Sequence, residues 1–111
     1  MAHSDARSGH VVSVRPLGDQ LSEASTTVLI KADQLQDVRL VLPAGKRLPE
    51  HHAPGEITVQ CLEGRLEFVT ATGPHVLEAG DLIHLGRRQT HAVHALEDSS
   101  ALLTLYIART D

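Results

Sequence analysis

The stretch Leu48-Pro49-Glu50-His51-His52-Ala53-Pro54-Gly55-Glu56-Ile57-Thr58-Val59-Gln60-Cys61-Leu62-Glu63-Gly64 decides how the whole chain is read. It gathers two histidines and two carboxylates at a Pro/Gly-rich turn, directly before an apolar run that Glu63-Gly64 ends. In that run Ile57, Val59 and Cys61 fall on one face of an extended strand, because successive side chains alternate. A second stretch, Gly80-Asp81-Leu82-Ile83-His84-Leu85-Gly86-Arg87-Arg88-Gln89-Thr90-His91, answers it with a turn, a short apolar strand, a loop and a histidine. The two segments are expected to face each other across a small barrel and to define its pocket.

The flanking sequence has the same texture. Thr26–Ala32 is rich in β-branched residues, and Val38, Leu40 and Leu42 alternate with Arg39 and Val41 up to Pro43-Ala44-Gly45. Beyond Gly64, Leu66, Phe68 and Thr70 alternate with Glu67 and Val69. Further strands are expected at His75–Glu78, Leu82–Leu85, Thr90–Leu96 and Ala101–Ala108. Val11–Val14 is a short strand candidate before Pro16, and Asp19–Ser25 has room for one helical turn. Eight or nine short strands with turn signals every few residues, and no long helical pattern, predict an all-β sandwich or barrel. Residues 1–10 lack periodicity and are expected to be a loose tail, leaving 11–111 as one barrel domain.

With 111 residues, 41% of them hydrophobic, the chain has the size of one domain with one core. One Phe, one Tyr and no Trp leave that core to aliphatic side chains, and offer no platform for stacking bases. A formal charge of −4 argues against a phosphate-binding basic face, so nucleic acid is not an expected partner. No apolar run approaches the ~18–20 residues that span a membrane, and the N-terminus lacks the apolar segment of a signal peptide. The single cysteine, Cys61, forms no internal disulfide, which fits a cytoplasmic protein.

Leu48 through Glu63-Gly64 resembles the first motif of the cupin superfamily, and Gly80-Asp81 through His91 resembles its second. The resemblance spans roughly residues 37–107. It implies a small double-stranded β-helix, or jelly-roll, barrel of the cupin type, which agrees with the all-β reading. It also implies a homodimer, since small cupins pair through N-terminal strands. Metal-binding members carry His-x-His, a carboxylate or amide about four residues later, and a last histidine in the second motif. These ligands hold iron, manganese, nickel or zinc. In the register counted from Gly64, the first histidine position is His51, the second is Ala53, the carboxylate position is Ile57 and the last is His91.

Two of the four positions are therefore apolar, with His52 and Glu56 each one residue out of place. A bulge around Pro54-Gly55 would re-aim one of them. The candidate metal ligands are His51, His52 and His91, with Glu56 or His84 as possible additions. His84 shares a strand face with Leu82, as either an extra pocket imidazole or a core histidine. His94 is expected to face outward, opposite to Val93 and Ala95. Arg87-Arg88 would rim the pocket mouth, as solvated residues or as an anion contact.

Three functions stay open. One is a metal-dependent enzyme acting on a small polar molecule by oxygenation, isomerisation or lyase chemistry. Another is a metal-free protein that binds or senses a small ligand. The last is a structural role with a sealed interior.

Overall fold

The computed structural model describes residues 8–107, so residues 1–7 of the expected tail and the end of the last expected strand at Ala108 lie outside the described residues. A 3₁₀ helix at Gly18–Glu23 precedes β1 (Thr27–Lys31), β2 (Leu35–Leu42), β3 (Arg47–His51), β4 (Ile57–Glu63) and β5 (Arg65–Thr70). β6 (Gly73–Glu78), β7 (Leu82–Leu85), β8 (His91–Ala95) and β9 (Ser99–Tyr106) complete the order. All pairings are antiparallel. One sheet runs β1-β2-β9-β4-β7 and the other β3-β8-β5-β6. Apart from the hairpins β1-β2 and β5-β6, the chain passes from one sheet to the other between successive strands, the arrangement of a jelly roll.

The core follows the alternation of the sequence. Ile57, Val59 and Cys61 of β4, Leu66 and Phe68 of β5, Val93 and Ala95 of β8, and Ala101 of β9 are all buried between the sheets. Each large aliphatic or aromatic side chain buried this way contributes about 1.5–3 kcal/mol. The Cys61 thiol is fully enclosed. Burial raises its pKa, and the carboxylates of Asp81, Glu63 and Glu78 add to the effect against a backbone hydrogen bond at Glu63. It packs as a small apolar residue and is not a nucleophile.

Two local departures matter for the rest of the molecule. The expected strand at Val11–Val14 does not form. Instead this segment lies along β2, where Arg39 donates from its guanidinium to the carbonyls of Ser13 (3.1 Å) and Arg15 (3.0 Å). The backbone acceptors are thereby satisfied without a ladder, and Arg39 is buried at 7% exposure. Conversely, β3 forms in a stretch whose Pro and charges read as a turn. It is an edge strand of its sheet, paired only with β8, and there a proline's missing donor costs no ladder bond.

Gly64, between β4 and β5, has φ +86, and a Cβ there would lie 2.3 Å from both the Asp98 carbonyl oxygen and Ser99 Oγ. Gly73 has φ +111, but nothing lies within 4 Å of its virtual Cβ. Gly73→Ala is therefore expected to cost only the backbone strain, about 1–3 kcal/mol. Gly64→Ala adds a clash with backbone and is expected to cost clearly more. Urea unfolding of the two variants side by side measures the difference.

Candidate functional site

β4 and β9 from one sheet and β5 and β8 from the other leave a cavity of about 350 Å³ between them. Its wall is hydrocarbon: Leu40, Leu48, Ile57, Val59, Leu103 and Leu105, with Phe68 and Val93. The polar side chains that line it are three imidazoles, His51, His52 and His91.

His91 opens β8 and shares the buried face of Val93 and Ala95, as strand alternation requires. His51 reaches the cavity by a different route. Leu48 pairs with Val93 and His51 pairs with His91, so Pro49 and Glu50 together oppose the single residue Ala92. This is a β-bulge, and the extra residue inverts the alternation beyond it. Leu48 and His51, an odd number of residues apart, consequently both face inward. The bulge lies before the histidines, and not at Pro54-Gly55, where the sequence leaves room for one.

The strand ends at His51, so strict alternation no longer governs His52, Ala53 and Pro54, all of which line the cavity. The loop is held on both sides. Arg88 N donates to the Ala53 carbonyl (2.9 Å), and Tyr106 N to the Glu56 carbonyl (3.0 Å). A Cβ at Gly55 would lie 2.3 Å from the Tyr106 oxygen, so only glycine permits this close approach.

The rings of His51 and His91 have centroids 4.3 Å apart at 60°. Phe68 lies 6.1 Å from His91, with its ring inclined by 26°. His51 Nδ1 donates to the Pro49 carbonyl (2.7 Å), and His91 Nδ1 to the Gln89 carbonyl (3.2 Å). A carbonyl only accepts, so each Nδ1 carries the proton and each Nε2 is left as a bare acceptor. The two rings are oriented by the same device, a carbonyl two residues upstream.

The other candidates lie elsewhere. His84 is exposed, and its Nε2 lies 2.7 Å from Glu56 Oε1 on the outside of the barrel. It does share a face with Leu82, but that face is the outer one, since Leu82 is 63% exposed while Ile83 packs on the core. His84 is thus neither a pocket imidazole nor a core histidine, and Glu56 is turned away with it. His94 faces outward and lies 3.9 Å from Glu67. Arg87 and Arg88 are exposed and do not line the cavity, although Arg88 takes φ 60, unusual for a side chain with a Cβ.

The family model described as "Cupin domain" matches residues 38–107, well over half of the sequence. The chain belongs to the cupin family. Solved cupin-like structures agree in fold. A cupin superfamily protein from Desulfitobacterium hafniense is 18% identical with TM-score 0.75, over 93% of this chain and 100% of its own. A conserved protein of unknown function from Streptococcus pyogenes is 18% identical with TM-score 0.74, over 99% and 98%. A salicylate 1,2-dioxygenase from Pseudaminobacter salicylatoxidans is 20% identical with TM-score 0.61, over 64% of this chain and 20% of its own. No curated protein matches the sequence.

Within the cupin register, the structure puts hydrocarbon where two donors are expected. Ala53 and Ile57 both present their side chains to the cavity, so neither position is vacated for a displaced ligand. Among the described residues, no three His, Cys, Asp or Glu side chains come together to hold a metal ion. His51 and His91 supply two oriented nitrogens, and His52 sits with them at the mouth. Two oriented imidazoles with no third donor grouped beside them are a poor fit to the four-donor cupin metal site.

His91 is 4% exposed. Burial depresses its pKa, and the neighbouring His51 and His52 push the same way, against the hydrogen bond to Gln89. The sign for stability follows. Above the ordinary value of 6.5 the ring is neutral in both folded and unfolded chains and contributes nothing. As pH falls below that value, the unfolded chain takes up a proton that folded His91 refuses, and stability declines until the folded pKa is passed. NMR titration is expected to place the His91 midpoint below 6.5. His91→Phe is expected to flatten the acid limb of the unfolding free energy measured against pH.

Proposed function

We propose that this cupin is a metal-independent protein that binds a small, largely apolar molecule in its barrel. One observation carries the reading: Ala53 and Ile57 line the cavity at the positions where a cupin metal site needs an imidazole and a carboxylate. A cavity of about 350 Å³ lies near the small end of the ~300–1,000 Å³ usual for ligand sites. Its presence speaks against a purely structural role, which calls for a sealed interior. The ligand is held by apolar contact along the barrel and oriented at the mouth by His51 and His91.

The orientation of those two imidazoles favours a second reading, a metal-dependent enzyme. Metal-ligating histidines commonly donate their other ring N–H to a carbonyl or carboxylate that fixes the ring, as the Nδ1–H groups of His51 and His91 do here. The salicylate 1,2-dioxygenase among the fold relatives shows that such a barrel hosts an enzyme, though fold alone does not carry activity across. The donor set separates the two readings, and it favours the first.

Elemental analysis of the purified chain is expected to find far less than one metal per chain, with a chelator leaving Tm unchanged. Ala53→His combined with Ile57→Glu rebuilds the missing donors, and this variant is expected to gain stoichiometric metal and a chelator-sensitive Tm. One metal per unmodified chain, lost when His51 and His91 are both changed to Ala, would overturn the proposal in favour of the enzyme.

A further inference from the structure

The cavity is polar at one end only, where His51, His52 and His91 line it. Because each Nδ1 is committed to a backbone carbonyl, His51 and His91 offer Nε2 acceptors and no donor. The two acceptors are not equivalent. His51 is exposed at the mouth, where water satisfies it, whereas His91 is buried. Among the described residues no fully buried polar side-chain atom lacks a partner, so His91 Nε2 is an acceptor that stays open to the cavity, and a ligand that brings a donor to it is favoured over one of equal shape that does not.

The remaining wall narrows the class further. Among the described residues, no lysine, arginine or hydroxyl side chain lines the cavity, so none of its lining side chains carries a permanent positive charge. A carboxylate entering it would be desolvated without a cationic partner, which is strongly unfavourable. Phe68, 6.1 Å from His91 and inclined by only 26°, gives the acceptor a flat aromatic neighbour. An aromatic ring beside it packs in the offset arrangement that such pairs prefer.

We propose that the cavity selects a neutral apolar molecule bearing a hydroxyl group, of the simple phenol type, whose O–H donates to Nε2 of His91. This rests on the ligand-binding reading above and names the class of ligand that the site takes. The selection operates through hydrogen-bond polarity at the inner end: His91 supplies the acceptor and the ligand the donor.

Calorimetric titration of the full chain above neutral pH with three probes of one shape tests it. The probes are 4-methylphenol, 1-fluoro-4-methylbenzene, which lacks the donor, and 4-methylbenzoate, which replaces it with a charge. The phenol is expected to bind at least about tenfold tighter than the fluoro compound, and the carboxylate weakest of the three. Fluoro and phenol probes of equal affinity would overturn the inference while leaving a ligand-binding cavity standing, as would tightest binding of the carboxylate. If no probe binds, the ligand-binding reading itself falls and takes this inference with it. His91→Phe removes the acceptor and is expected to bring the phenol-to-fluoro ratio close to one; a ratio that keeps its unmodified value would overturn the assignment to His91. Should that variant fail to fold, the three-probe series on the unmodified chain decides alone.

Discussion

One extra residue in an edge strand governs this site. A β-strand alternates its side chains strictly, so Leu48 facing inward would send His51 outward and leave His91 alone in the cavity. Setting Pro49 and Glu50 against the single residue Ala92 inverts the alternation and brings the two imidazoles to a centroid distance of 4.3 Å. The bulge is tolerated because β3 has one neighbour only, and because proline needs no ladder bond on its open side. The Pro49 carbonyl then holds the ring of His51 through Nδ1, so the same irregularity both aims the histidine and fixes its tautomer.

A second bulge does comparable work on the opposite side of the barrel. Between Cys61 and Glu63 the register of β4 against β9 shifts by one, so that Cys61 pairs with Ala101 and Glu63 with Ser100. Glu63 leaves the buried face of Cys61 and meets the N-terminal segment. It accepts hydrogen bonds from Leu17 N (2.9 Å), Gly18 N (3.1 Å) and the Ser100 hydroxyl. Burial by itself raises the pKa of its carboxyl; those donors and the nearby Arg39 guanidinium outweigh it and hold the group below its ordinary value. Arg39 and Glu63 together fasten residues 13–18 to the sheet, at the end of the segment Val11–Val14 that reads as a strand in the sequence.

What the sequence made legible follows from what alternation can express. Ile57, Val59 and Cys61, or Val93 and Ala95 flanking an outward His94, declare their faces because nothing interrupts the period. The pairing of the two motifs around one cavity was readable for the same reason. Alternation gives faces relative to a neighbour but not which face is the inner one. That is why His84 was grouped correctly with Leu82 and still placed on the wrong side. It also fails where one residue is inserted: the bulge at Pro49-Glu50 left no mark in the sequence beyond the proline, and β3 itself read as a turn. Arg39 looked like the polar half of an amphipathic strand because its acceptors are backbone carbonyls more than twenty residues away, which no local pattern reveals.

The apolar substitutions in the register also make physical sense for a barrel that must be stable empty. Four metal donors around a void impose a desolvation cost on each polar group and mutual repulsion on any that charge, and only a bound cation offsets it. Ile57 at 5% exposure contributes about 1.5–3 kcal/mol of apolar burial in place of a carboxylate that would need a partner. Ala53, small at a position where a ring is expected, leaves volume in the inner wall. His51 and His91 remain because each is already half satisfied by its own backbone carbonyl, one at the wet mouth and one inside. On the metal-independent function proposed above, the barrel keeps just the polarity that it can support without a metal, and that residual polarity is what is left to read a ligand.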